Sequence, residues 1–156
     1  MCRARPARGT LFALFIAFSA YADITGKVIA VADGDTLTVL IDQRQIRVRL
    51  IDIDAPESGQ PYGQQSKESL AKICAGKQAP VADNGKDRFG RTLGRVTCEK
   101  VDANAEQVRR GMAWVFDRYV KGRSLYSLQD EARAAKRGLW TDPDPVSPWE
   151  WRKGMR

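Results

Sequence analysis

The 156-residue sequence contains no histidine. Hydrolytic chemistry in this chain therefore cannot use an imidazole base, a Ser-His-Asp triad or a zinc ion held by histidine. Carboxylate is what remains for moving protons. Internal repeats, low-complexity tracts and linkers are also missing, so nothing divides the chain after its first 22 residues, and its length is that of one domain. Its N-terminal apolar run, Leu11 to Ala20, is ten residues long, too short to span a bilayer.

That run belongs to a leader. Arg3, Arg5 and Arg8 precede it and Ala20-Tyr21-Ala22 follows as an A-x-A cleavage site, the layout of a secretory signal peptide. The expected organisation is a signal peptide over 1–22, cleaved after Ala22, and a single domain over 23–156. The expected location is periplasmic or secreted, with no membrane attachment after cleavage; an uncleaved apolar anchor is the alternative. Three of the 26 basic residues and none of the 19 acidic ones leave with the leader, so the net charge falls from +7 to +4. A basic surface of that size suits an anionic partner, and equally the solubility of a small exported domain. The hydrophobic share of 43% is enough for a packed core.

Cys2 also leaves with the leader. Cys74 and Cys98 then form an even pair in an oxidising compartment, which points to one disulfide. It would close a loop of about two dozen residues and contribute roughly 3 kcal/mol. Two free buried thiols are the alternative.

Hydropathy patterning predicts strands over Thr25–Ala32, Thr36–Ile41, Gln45–Ile53, Val81–Asn84 and Thr92–Cys98, with a turn at Asp42-Gln43. Pro80 restricts the fourth of these to a strand start or a non-central position. A helix is expected over Gly63–Ile73, with Gly76 beyond its end. Asn104 is the expected N-cap of a short helix through Val108, stopped at Gly111, and Ser124 the cap of a longer one ending at Gly138. The Pro- and Trp-rich tail, Pro143 to Trp151, is expected to lie along the body. Five strands with a helix after the third match an OB-fold order, so the expected class is mainly β with α: a five-stranded barrel with about three helices.

Three acids and an arginine stand out. Asp33-Gly34-Asp35-Thr36 reads on its own as a hairpin turn, yet Asp35 shares a strand face with Leu37, Val39 and Ile41. A carboxylate on that face must be paired or bound to metal. Asp54 and Glu57 flank Pro56, which fixes the backbone between them. Asp35, Asp54 and a carbonyl near Ala55 suit a hard cation such as Ca²⁺, leaving Glu57 to take a proton from water. A solvated acidic loop is the bland alternative. Arg49 falls beside Ile51 and Ile53 by strict alternation, and a half-buried arginine suits phosphate. Alternation also places Arg49 and Asp54 on opposite faces, so a bulge or strand end near Asp52 is required to bring them together. Arg88 and Arg91 flank Phe89-Gly90 at a turn, where a second arginine could meet the same phosphate.

Asp33-Gly34-Asp35-Thr36, Arg49-Leu50-Ile51-Asp52-Ile53-Asp54-Ala55-Pro56-Glu57 and Asp87-Arg88-Phe89-Gly90-Arg91 together resemble the staphylococcal nuclease (thermonuclease-like) family in order and spacing. The resemblance runs from about Asp23 to Trp140, including Val101-Asp102-Ala103-Asn104 and Gly138-Leu139-Trp140. It implies an OB-fold endonuclease that cleaves DNA and RNA with Ca²⁺ and little sequence specificity, leaving 3′-phosphates, and acting as a monomer. In this sequence Asp35, Asp54 and the Ala55 carbonyl would hold the metal. Glu57 would be the general base or position the attacking water. Arg49 and Arg91 would bind the phosphate and stabilise the transition state. Arg88 and Tyr119 would contact substrate, Tyr119 by stacking on a nucleotide. Ala55 replaces a threonine of the archetype and Phe89 a tyrosine; the first change preserves a backbone ligand, the second loses a hydroxyl. The competing readings are a non-catalytic OB-fold module that binds nucleic acid or protein, and an exported domain that binds Ca²⁺ only for stability. The second leaves Arg49, Glu57 and Arg91 without a role.

Overall fold

The computed structural model describes residues 23–116 and 123–154. The leader and Tyr119 lie outside the described residues. Three strands lead, β1 (Ile24–Val31), β2 (Thr36–Ile41) and β3 (Arg44–Leu50), and a two-residue strand β4 (Ile53–Asp54) follows. Helix α1 (Gly63–Cys74) connects to β5 (Gln78–Lys86), β6 (Thr92–Cys98) and the short β7 (Val101–Asp102). Then come α2 (Ala103–Arg109), β8 (Trp114–Val115), α3 (Ser124–Ala134), a 3₁₀ turn over Gly138–Thr141 and α4 (Pro148–Gly154).

The long strands run in the order β3-β2-β1-β5-β6, and β3 pairs with β6 to close them into a five-stranded barrel. The closing ladder is parallel, with Val48 opposite Thr92, Arg49 opposite Leu93 and Leu50 opposite Gly94. This is the OB-type α+β barrel expected, with α1 following its third strand and, among the described residues, four α-helices where about three are expected. The two-residue alternation of a strand explains which residues enter the barrel. Leu37 and Val39 of β2, Val48 and Leu50 of β3, Val81 of β5 and Val96 of β6 are all fully buried. Burying each such side chain is worth about 1.5–3 kcal/mol. Leu70 and Ile73 of α1, three residues apart, join the same core.

β5 lies between β1 and β6, a position that a proline ordinarily forbids. Pro80 pairs with Thr25 on the β1 side, and the ladder to β6 begins one residue later, at Val81. The β6 ladder thus starts only after the residue that lacks an N–H. Cys74, at the end of α1, and Cys98, at the end of β6, are joined in a disulfide. The Pro-rich tail does lie against the body, but α4 gives its second half a regular helix. Trp149 packs 5.7 Å from the ring centres of both Trp114 and Phe116.

Candidate active site

The site is assembled where β2 begins and β3 ends. The Asp35 carbonyl accepts a 2.8 Å hydrogen bond from the Leu50 amide, one step beyond the Thr36–Arg49 pair of the β2–β3 ladder. That bond lays Asp35 against the end of β3. The turn reading of Asp33-Gly34 also holds, because Asp33 Oδ1 accepts from the Asp35 amide at 3.0 Å. Gly34 allows the turn to press on α1: a Cβ there would overlap the Ser66 side chain and Cβ of Ala55. Gln107, fully buried on α2, donates from Nε2 to the carbonyls of Gly34 at 2.7 Å and Ser66 at 3.0 Å. It ties the loop to the helix.

The kink required between Arg49 and Asp54 is present. β3 stops at Leu50, Asp52 takes a left-handed conformation with φ 64°, and the chain resumes as β4. Asn104 clamps this turn, donating from Nδ2 to the Ile51 carbonyl at 2.8 Å and accepting at Oδ1 from the Val96 amide at 3.0 Å. Asn104 is therefore not the N-cap of α2. That role falls to Asp102, whose Oδ1 accepts from the Ala105 amide at 3.0 Å. Ser124 likewise is the first residue of α3 rather than its cap, and Arg123 takes the cap position without a side-chain bond. Nor does Arg49 share a face with Ile51 and Ile53. The strand has ended, so Arg49 lies outward, in line with Arg47, while Ile53 is buried beyond the kink.

Arg49 is locked in place. Its Nη1 donates to the carbonyls of Leu50 at 2.6 Å and Ile53 at 2.9 Å, and its Nη2 donates to Asp54 Oδ1 at 3.1 Å. Nη2 also lies 3.3 Å from Asp35 Oδ2. Asp35 accepts in addition from the Ala55 amide at Oδ2, 2.8 Å, and from Thr36 Oγ1 at Oδ1, 3.0 Å. Burial pushes the Asp35 carboxyl up to about 7, although Arg49 pulls against the shift. Asp54 is 2% exposed. The structure thus unites Asp35, Arg49, Asp54 and the Ala55 backbone.

Glu57 approaches the group differently. Its amide donates to Gln60 Oε1 at 3.1 Å, and Gln60 Nε2 donates to the Val146 carbonyl at 2.7 Å, so one buried glutamine fastens the Glu57 loop to the C-terminal segment. The Glu57 side chain stands half open to solvent and meets Arg152 of α4. Arg152 Nη1 donates to Glu57 Oε1 at 2.7 Å and Nη2 to Asp54 Oδ2 at 2.7 Å, with Nη1 also 3.3 Å from Asp54 Oδ1. The bonds to Asp54 and then Glu57 hold the guanidinium still more firmly protonated than usual, against a partial loss of hydration. Sequence reasoning missed Arg152, Asn104 and Gln107. No local pattern marks an arginine 98 residues from its carboxylate partner.

Arg91 and Arg88 stand apart from this group. Arg91 Nε donates to Asp87 Oδ2 at 2.7 Å. An open cleft of about 350 Å³ is lined by Arg47, Phe89, Gly90 and Arg91. The Arg88 guanidinium lies over the Phe89 ring, 4.7 Å from its centre. Arg91 immediately precedes β6, and side chains alternate along a strand. Because Arg49 pairs with Leu93, Arg91 falls on the same outward face of the barrel as Arg49.

The residues present fit a hard cation. Asp35 and Asp54 offer oxygen donors side by side, and the carboxyl raised to about 7 is one that a further positive charge would return to its ionised form. A guanidinium already spans Asp54 and Glu57 as an organic stand-in. Among the described residues, no three His, Cys, Asp or Glu side chains form a ready-made cluster, so carbonyls and water would complete the shell, as such ions accept.

Fold and site together define an OB-barrel protein with an arginine set between two buried carboxylates. Residues 47–142 match the family model described as staphylococcal nuclease homologue. The sequence is 46% identical over 132 residues to a protein of Escherichia coli named "Uncharacterized endonuclease", covering 84% of this chain and 86% of that one. It is 39% identical over 154 residues to the "Micrococcal nuclease" of Shigella flexneri, covering 92% and 88%. A Haemophilus influenzae protein, also named "Uncharacterized endonuclease", is 42% identical over 130 residues, covering 83% and 73%. The chain belongs to the staphylococcal nuclease family.

Proposed function

We propose that this protein is a calcium-dependent endonuclease that hydrolyses DNA and RNA with little sequence preference, leaving 3′-phosphates. The observation carrying this reading is the buried Asp35–Asp54 pair bridged by Arg49, whose fork is oriented by two backbone carbonyls. Asp35, Asp54 and the Ala55 carbonyl would hold Ca²⁺, which supplies charge beside a phosphate oxygen and lowers the cost of gathering negative charge at phosphorus.

The chain's own residues do the rest. Glu57, the one acid of the group with an open face, takes a proton from the attacking water as its oxygen bonds to phosphorus. The P–O5′ bond breaks in line, and the 5′-oxygen leaves with the bonding pair and takes a proton from solvent. Arg49 stabilises the extra charge on the equatorial oxygens, and Arg91 reaches the same phosphate from the next strand. The cleft beside Phe89 receives the strand, its arginines meeting phosphates and the ring meeting a base, which explains tolerance of sequence. The leader directs the protein to the periplasm or the medium, where it acts as a monomer.

The test is plasmid degradation by the purified protein in Ca²⁺ and then in excess EGTA. Cleavage that stops with EGTA and yields 3′-phosphate ends is the expected result. Cleavage indifferent to EGTA refutes the metal assignment, and binding without cleavage returns the protein to the class of OB-fold binding modules.

A further inference from the structure

Arg152 takes no part in the chemistry just described, yet it occupies the centre of the site. Asp54 Oδ1 is engaged by Arg49, so Oδ2 is the oxygen left for a cation, and Arg152 Nη2 holds it at 2.7 Å. The same guanidinium holds Glu57 Oε1, the proposed base. One side chain thus covers a metal ligand and the proton acceptor together. It does so from α4, outside the 47–142 stretch that matches the family model.

We infer that Arg152 is a tethered cation that occupies the calcium seat of the metal-free enzyme and must yield Asp54 and Glu57 before the site can act. This rests on the calcium reading above. Two cations cannot share Asp54 Oδ2 in a buried setting, because like charges at that spacing repel strongly where water is scarce. An empty seat would leave Asp54, 2% exposed, with Arg49 as its one counter-charge among the described residues, and an undercompensated buried carboxylate is costly. Arg152 removes that cost while the metal is absent. Its own side chain is 42% exposed, so it can swing into solvent without disturbing the core. Trp149, packed on Trp114 and Phe116, keeps α4 docked meanwhile. The device is intramolecular competition. The apparent dissociation constant for the metal is multiplied by one plus the ratio of closed to open arginine.

The experiment titrates Ca²⁺ into the EDTA-stripped, dialysed full chain and its Arg152→Gln variant by calorimetry. The variant should bind roughly tenfold more tightly, the scale of one charge-assisted contact no longer surrendered. Equal or weaker binding by the variant overturns the inference. A second arm needs no metal: urea unfolding in EDTA of Arg152→Gln, Glu57→Gln and the double variant. Non-additive effects are expected from the single substitutions, and additive ones overturn the clamp itself. If coupling is found but neither protein binds Ca²⁺, the clamp stands, competition with calcium is refuted, and the calcium reading fails with it.

Discussion

Replacing Asp35 by asparagine should make the metal-free protein more stable at pH 8. Asp35 is 6% exposed, and burial raises its carboxyl from 3.8 to about 7 despite Arg49. The folded chain therefore keeps a proton that the unfolded chain has already released between about pH 4 and 7. Through that window stability falls as pH rises, and above it the full penalty is present. The interval corresponds to about 4 kcal/mol if nothing relaxes. Water penetration lowers this figure, and asparagine forgoes the ionic attraction of Arg49, so the expected gain is roughly 1–3 kcal/mol. Asparagine keeps an oxygen for the Ala55 amide, and its amide group can donate to Thr36 Oγ1, so no buried bond need be orphaned. The assay is urea denaturation in EDTA at pH 5 and pH 8. The variant should gain at pH 8, lose most of that advantage at pH 5, and no longer be stabilised by Ca²⁺. A variant less stable than wild type at pH 8, or an equal difference at both pH values, refutes the argument from buried charge.

Arg49→Ala should lower turnover on DNA by roughly 10²–10³-fold, the loss of one preorganised donor, read in single-turnover assays at saturating Ca²⁺; wild-type turnover would remove Arg49 from the chemistry. Gln107→Ala should destabilise the fold by about 1–3 kcal/mol through the unpaired Gly34 carbonyl, measured by urea unfolding, and lower Ca²⁺ affinity by loosening the Asp35 loop. Cys74→Ser/Cys98→Ser should lose about 3 kcal/mol of stability, since the bridge closes a separation of 24 residues. Reduced and oxidised wild type should differ by the same amount in denaturant.

The alternation of Leu37 and Val39, and of the residues from Thr92 to Cys98, was enough to place β2 and β6 to the residue. Each of those strands turns one face to the core, and period two records it. The need for a break near Asp52 was legible too, because Arg49 and Asp54 could not otherwise meet. Its agent was not. Asn104 resembles a helix cap by type and position, and nothing local shows that its amide instead joins the turn at Ile51 to β6. Arg152 was less legible still. Its partners lie 95 and 98 residues away in the sequence, and the docking of Trp149 helps to bring them within reach.

The closing ladder between β3 and β6 carries a consequence for how far this protein can vary. Arg49 lies on β3 and Arg91 just before β6, with a helix and two strands between them in the chain, yet their spacing depends only on Val48 meeting Thr92. That register works as a ruler. The exposed tip over 88–90, between β5 and β6, can lengthen without moving the backbone of either arginine. A two-residue slip of β6 against β3 would preserve every inward side chain's face and still carry Arg91 about 6–7 Å along the barrel, beyond the width of a phosphate. Insertions should therefore be tolerated in that turn and rejected between Arg91 and Gly94.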